Sequence, residues 1–313
     1  MSERYRSVIG RSRVIRIDGD GRLGARLGRL PPGERPRKLY AAGEPPACPA
    51  VAIVGTRSPD AHGAALARKI ARECALRDLA VISGGASGID RAAHEGCLEA
   101  GGKTVVVMAG GLEKPHPPGS SDLFAAVVSG GGCLVTEQAF QVPPRPFLFL
   151  RRNRLIASLS DWVIVVQARW RSGAISTATW AGTCGVPLFA VAGSPVNPLH
   201  HGTNRMIADG RAGIIISLDA LFKELSAGGR GGRRARGAGR KQPCSAFPID
   251  DGERMVAGLV GTEPLSADDI SAHCRLSIQE ISQILANLEM KGMVTMADPG
   301  RYIATSQGMA RKT

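Results

Sequence analysis

Val51-Ala52-Ile53-Val54-Gly55-Thr56-Arg57 sets four consecutive apolar residues before a glycine, a hydroxyl and an arginine. A run that is apolar at every position, rather than every second one, marks a strand covered on both faces. The pattern returns at Ala80–Ile82, which leads into Ser83-Gly84-Gly85-Ala86-Ser87-Gly88-Ile89-Asp90. It returns again at Thr104–Met108, Cys133–Thr136, Trp162–Val166, Leu188–Ala192 and Ile214–Ile216. Between these runs the spacing predicts helices over 61–77, 90–100, 122–129, 152–159, 174–183, 203–209 and 218–225. Strands alternating with helices at this rhythm predict an α/β fold, a Rossmann-like, doubly wound and mostly parallel sheet.

Outward from that block the chain changes character. Residues 1–40 mix Arg, Gly and Pro with little periodicity and read as a basic flexible segment, leaving 41–226 as the Rossmann-like domain. The stretch 227–247 is Gly/Arg-rich, with almost no side chain fit for a core, and reads as a linker. In 248–313 a helix is predicted over Asp251–Val260, a second after Ser266 and a third from Ser277 to about Lys291. Val294–Met296 and Tyr302–Ala304 then flank Asp298-Pro299-Gly300, a hairpin turn. Three helices and a hairpin describe a winged helix.

Charge follows this division. The net charge is +13, and residues 1–40 hold eleven Lys/Arg against four acids. Gly228–Lys241 holds six basic residues and no acid, so the basic excess belongs to the two arms rather than to the sheet domain. Such arms suit nonspecific phosphate contact. The segment 243–313 has six basic and nine acidic residues. Its third helix offers Gln279, Gln283, Asn287 and Lys291, a set that suits a protein contact better than a duplex groove. The cysteines, seven in all, are scattered without metal-ligand spacing, which implies reduced thiols, a cytoplasmic location and no metal. No run approaches the roughly 20 apolar residues of a membrane span, so no membrane partner is expected.

Three loops follow strands at the end where open α/β sheets bind ligands. Gly55-Thr56-Arg57 allows close backbone approach beside a guanidinium that can grip a phosphate. Ser83-Gly84-Gly85-Ala86-Ser87-Gly88 opens a helix, whose N–H groups make an anion site. The tract Arg151-Arg152-Asn153-Arg154, placed before a strand and preceded by Phe147 and Phe149, sets arginines beside aromatics, a mixture that suits single-stranded nucleic acid. Ser172-Gly173 and Gly202-Thr203-Asn204 precede further helices and line the same crevice. Other roles stay open at several of these positions. Phe147 and Phe149 at period two equally fit a core strand, and Arg152 and Arg154 equally fit ion pairs or a dimer contact. The loop after the first strand, Gly55-Thr56-Arg57-Ser58, is not GxGxxG, no GxxxxGK[ST] occurs, and no nucleophile with a base can be named, so neither a cofactor nor a catalytic residue is expected.

These pieces, taken in order with Ala109-Gly110-Gly111-Leu112 and Glu137, resemble the DprA/Smf family of DNA-processing proteins. The resemblance covers about residues 39–225. It implies a homodimer that binds single-stranded DNA, protects it and loads the RecA recombinase in natural transformation. It also implies that Arg57 contacts the DNA backbone, that Ser83–Gly88 is a phosphate pocket and that Phe149 lies near the strand. Arg145 is the nearest basic residue to the lysine the family tends to place before that aromatic. The sequence departs at His116-Pro117, where Tyr-Pro is usual, at Leu150, usually proline, and at Gln167, usually glutamate. The alternative is a nucleotide-binding sensor or a nucleoside-monophosphate hydrolase using the same loops. A hydrolase of that kind wants a GGxGTxxE spacing, which Gly130–Glu137 lacks.

Overall fold

The structure, a computed structural model, describes residues 2–16, 21–170, 172–228, 251–261, 263–274, 276–290, 293–298 and 300–305. The chain forms two compact units, Met1–Gly239 and Arg240–Thr313. The linker expected at 227–247 falls almost wholly outside the described residues.

In chain order the first unit runs α1 (Glu3–Ile9), β1 (Arg13–Arg16), α2 (Gly21–Leu27), β2 (Lys38–Gly43), β3 (Ala50–Val54), α3 (Ala61–Ala75), β4 (Ala80–Ser83), α4 (Ile89–Glu99) and β5 (Thr104–Val107). It continues with α5 (Ser121–Ser129), β6 (Cys133–Thr136), α6 (Pro146–Leu159), β7 (Trp162–Val165), α7 (Gly173–Thr183), β8 (Leu188–Ala190), α8 (His201–Ala208), β9 (Gly213–Ile214) and α9 (Leu218–Gly228). The strands form one sheet in the order β1-β2-β6-β5-β4-β3-β7-β8-β9. Every pairing from β6 to β9 is parallel, while β1 and β2 are antiparallel additions.

Six of the seven apolar runs are buried parallel strands, and their packing explains the pattern; the seventh strand, β9, overlaps its run only at Ile214 and is exposed at the sheet edge. Ala50, Ala52 and Val54 of β3 point to a core with Leu155 and Ile156 of α6 and Ala178 of α7. Val51 and Ile53 point the other way, onto Ile70 of α3 and Ala93 of α4. A strand sandwiched between two helix layers has no polar face. From β3 the chain builds outward through β4, β5 and β6, then returns to the other side of β3 with β7 and builds through β8 and β9. The order reverses between β3 and β7, and a crevice opens at such a reversal, outside the carboxyl ends of the strands.

The N-terminal segment corrects the flexible reading. Tyr5 is fully buried, and its hydroxyl donates to the Leu112 carbonyl at 2.6 Å. Its ring lies 6.4 Å from that of Phe124, and burial pushes the phenol pKa well above its ordinary value. Arg26 and Arg29 both pair with Asp161, which also accepts from the Ala50 amide at 2.9 Å. Burial works to raise the Asp161 carboxyl, but that amide and the two guanidinium groups hold it below the usual carboxylate range. Arg35 donates to the carbonyls of Leu30 and Gly28, both at 2.7 Å. Several arginines read as a phosphate-seeking arm are thus fastened inside the domain.

The second unit is the winged helix. Its helices are α10 (Asp251–Leu259), α11 (Ala267–Ser271) and α12 (Ile278–Met290), and β10 (Leu265–Ser266), β11 (Val294–Asp298) and β12 (Arg301–Ala304) form its sheet in the order β10-β12-β11. Ser266 caps α11 reciprocally with Asp269, and Ser277 exchanges hydrogen bonds with Glu280 ahead of α12. Gly300, with φ +82°, closes the hairpin, and Val256, Ile270, Ile281, Leu285 and Tyr302 fill the core. Among the described residues no helix is long and apolar enough to cross a membrane.

Candidate nucleic-acid interface

Three loops at the carboxyl edge are stitched together through the main chain. The Thr56 amide donates to the Gln167 carbonyl at 2.7 Å, and the Ile89 amide donates to the Thr56 carbonyl at 3.2 Å. The Gly202 amide donates to the Ala168 carbonyl at 2.8 Å, which ties the start of α8 to the loop after β7. Glycines sit where these backbones cross. A Cβ on Gly55 would lie 2.6 Å from Ile89 and 2.8 Å from the Gln167 carbonyl oxygen, and one on Gly202 would lie 2.7 Å from the Ala168 carbonyl oxygen.

Arg57 projects from this knot and is exposed. Its guanidinium carbon stands 5.0 Å from the centroid of the half-buried Phe149 ring, a cation–π arrangement. His116 meets the same ring edge-on at 5.3 Å. Burial, and then the neighbouring Arg57 charge, lower the His116 pKa, so this imidazole is neutral at physiological pH.

Phe147 and Phe149 belong to α6, not to a core strand. Pro146 occupies the first helical position and Arg145 the extended N-cap, so the Pro-Arg-Pro sequence starts the helix instead of preventing it. On that helix Leu148 is buried while Phe147 and Arg145 are exposed.

Arg152, Asn153 and Arg154 face inward. Arg152 donates to the carbonyls of Gly84 (2.7 Å) and Val107, joining the ends of β4 and β5, and burial lowers its pKa to about 10. Asn153 receives the Arg152 Nε–H at 3.2 Å and donates to the Gly173 carbonyl at 3.1 Å. Arg154 is 1% exposed; its Nη2 donates to both oxygens of Glu137 at 2.9 and 2.8 Å, and its Nε donates to Glu34 at 3.0 Å, so the guanidinium forks between the two acids. Of the readings left open for Arg152 and Arg154, the structural one describes these contacts: Arg152, Asn153 and Arg154 frame the crevice, while Arg145 and Arg151 are exposed.

The Ser83–Gly88 loop is partly filled from within. The buried Asp90 carboxylate accepts from the amides of Gly84 (3.1 Å) and Ala86 (3.4 Å), while Ser83 Oγ donates to the Ile53 carbonyl at 2.6 Å. Burial pushes the Asp90 carboxyl above its ordinary range, against the opposing pull of Arg152. Gly84 lies so close to Arg152 that a Cβ would meet the guanidinium at 2.6 Å, and Gly85 adopts φ +69° against Phe124. Among the described residues the Ser87 and Gly88 amides have no protein acceptor, so the outer end of the loop is the part open to an anion.

Farther along the edge, Ser172 precedes α7 with a buried hydroxyl that has no partner among the described residues, and Gly173 is open to solvent. The Asn204 side chain is bonded twice to Gly193, at 3.0 and 2.8 Å, so it fixes the loop after β8. Gln167 is a keystone: it bonds Asp60 at 2.8 Å, and its amide nitrogen lies 3.2 Å from His200 Nε2. The Gly63 amide and Gln167 together hold the Asp60 carboxyl below the usual range.

Two family models match the chain. The model described as DNA recombination-mediator protein A covers residues 19–226, and the DprA winged helix domain covers 240–298. The chain belongs to the DprA/Smf family. A putative DNA processing protein DprA of Mycobacterium tuberculosis is 35% identical over 285 residues, 89% of this chain and 71% of the relative. The solved DprA of Streptococcus pneumoniae superposes with a TM-score of 0.61 at 29% identity, over 70% of this chain and 76% of that one. DNA processing protein A of Helicobacter pylori, studied for its single-stranded DNA binding mode, also gives 0.61, at 28% identity over 69% of this chain and 96% of that one. The DNA recombination-mediator model begins at residue 19 and so takes in Arg26 and Arg29, which pair with Asp161.

Proposed function

We propose that this DprA-family protein binds single-stranded DNA along the carboxyl edge of its sheet, protects it and delivers it to the RecA recombinase, acting as a homodimer and by binding rather than turnover. The carrying observation is the exposed Arg57 guanidinium held 5.0 Å from the Phe149 ring at the β3 end of the crevice. A guanidinium pairs with phosphate, and an adjacent half-buried ring offers a face to an unstacked base. The outer amides of Ser87 and Gly88 add donors beside Arg57. Duplex DNA hides its base faces, so a ring used in this way selects single strands. The single-strand study of the Helicobacter pylori relative supports the same reading.

The nucleotide-hydrolase alternative loses support at Glu137. That acid is the one nearest a hydrolase motif, and it is held by the buried Arg154 fork, with Arg151 at 3.5 Å. A carboxylate whose two oxygens are both taken up by a buried guanidinium serves the frame of the fold and is not presented to a ligand.

Fluorescence anisotropy with labelled single-stranded and duplex oligonucleotides, over a salt series, tests the proposal. The expected result is a preference for single strands that Arg57→Ala removes, with a log–log salt slope of about −0.7 per phosphate neutralised. Equal affinity for both forms, unchanged in Arg57→Ala, would refute it.

A further inference from the structure

Trp170 stands on the loop after β7 with 49% of its surface exposed, and it belongs to none of the hydrophobic cores. Arg205 of α8 brings its guanidinium carbon to 5.9 Å from the indole centroid; its Nε pairs with Asp209 at 2.9 Å, and its side chain is 57% exposed, which leaves the outer guanidinium edge toward solvent. Arg169, next to the tryptophan, is exposed as well. The placement follows from the stitching described above. The loop leaves Gln167, whose carbonyl holds Thr56, and passes Ala168, whose carbonyl holds Gly202. Trp170 lies two residues beyond Ala168, and Arg205 one turn beyond Gly202 on α8. The pair therefore occupies the same sheet edge as Arg57 and Phe149, on the other side of the strand reversal.

A single exposed aromatic is ordinary on a protein surface. An exposed indole flanked by two arginines at the mouth of a ligand crevice is not explained by packing. It repeats the chemistry of Arg57 and Phe149, a flat apolar face with a guanidinium beside it. We infer that Trp170 and Arg205 form a second nucleotide subsite, which stacks a base and pairs a phosphate of the single strand continuing past Arg57 and Phe149. The inference rests on the single-strand reading above and extends it by a second anchor. Neighbouring strands in a sheet are about 4.8 Å apart, so the loops after β3, β7 and β8 lie within the reach of one short oligonucleotide.

The test titrates the full chain with a labelled thymidine oligonucleotide of about 12 nucleotides, within the span one such site covers. Anisotropy gives affinity and intrinsic fluorescence gives stacking. Trp162 is buried and Trp180 half-buried, so Trp170 is the indole a base can reach. The expected result is quenching in the wild type, and in Trp170→Ala a loss of that quenching with about tenfold weaker binding. Trp170→Phe, which keeps an aromatic face, retains affinity within about twofold, and Arg205→Gln reduces the salt slope by about 0.7.

Unchanged affinity and quenching in Trp170→Ala, with binding still weakened in Arg57→Ala, would overturn the subsite and leave the first anchor standing. Unchanged binding in both variants would remove the single-strand reading and the subsite together. A change of mass in light scattering for Trp170→Ala, at unaltered affinity per protomer, would assign the surface to a subunit contact and also overturn the inference.

Discussion

A methyl group on Gly88 would lie 2.4 Å from the carbonyl oxygen of Thr56 and 2.7 Å from the carbonyl carbon of Arg57. Gly88 also has φ +82°, a conformation that costs an L-residue roughly 1–3 kcal/mol. Gly88→Ala therefore strains its own loop and displaces the one that carries Arg57. The expected outcome is at least tenfold weaker single-strand binding with the circular dichroism spectrum of the folded protein retained. Unaltered affinity would mean that this close approach does not position Arg57.

Arg57 and Phe149 touch each other as well as the proposed ligand, so their contributions should not add. An exposed cation–π pair is worth about 0.5–1 kcal/mol. In a double-mutant cycle on DNA affinity, Arg57→Ala and Phe149→Ala should each weaken binding, and the double variant should lose less than the sum by about that amount. Strict additivity would show that the two side chains act on the strand independently.

The sheet was legible because its strands are buried on both faces, which forces apolar residues onto consecutive positions such as Val51 to Val54. The glycine loops were legible because backbone crossings at Gly55, Gly88 and Gly202 admit no side chain. Other features hide from local pattern. Arg152 and Arg154 look like a basic surface until their partners, the carbonyls of Gly84 and Val107 and the Glu137 carboxylate, arrive from distant parts of the chain. Phe147 and Phe149 mimic a strand at period two, although Pro146 places both in a first helical turn. The N-terminal arginines carried little periodicity, and their partners, Asp161 and the carbonyls of Leu30 and Gly28, show only in the folded chain. Trp170 carried the signal used for Phe149, arginines beside an aromatic, and was overlooked because it stands alone in a short loop.

Arg154 gives a stability prediction. Its guanidinium is 1% exposed and serves Glu137 and Glu34 across three parts of the chain. Removing one partner of a buried pair costs about 3–5 kcal/mol. Glu137 and Glu34 retain some access to water, so the lower end applies, and Arg154→Ala should lower stability by about 3 kcal/mol. Arg154→Lys should recover part of this, since one ammonium cannot reproduce the two-pronged contact. Denaturant midpoints at unchanged slope provide the measurement. A loss below about 1 kcal/mol in Arg154→Ala would show that the fork contributes little.

His94 provides the pH dependence. It is fully buried on α4, and its Nδ1 lies 2.7 Å from Thr104 Oγ1, whose own proton is directed at the Val81 carbonyl at 2.8 Å. Nδ1 is therefore the protonated nitrogen, and Nε2 is buried without a partner among the described residues. Burial, and then the charge of Arg152, lower the pKa from 6.5 to about 3. A group whose folded pKa is depressed contributes stability that is complete above its unfolded pKa and lost as pH falls toward the folded value. Between pH 6.5 and pH 4.5 the unfolded chain takes up this proton and the folded protein does not. The resulting loss is about 2 kcal/mol. His94→Gln keeps an N–H for Thr104 but cannot titrate. Its unfolding free energy should therefore fall by about 2 kcal/mol less than that of the wild type across that window. Parallel pH profiles for the two proteins would mean that His94 accepts its proton without unfolding.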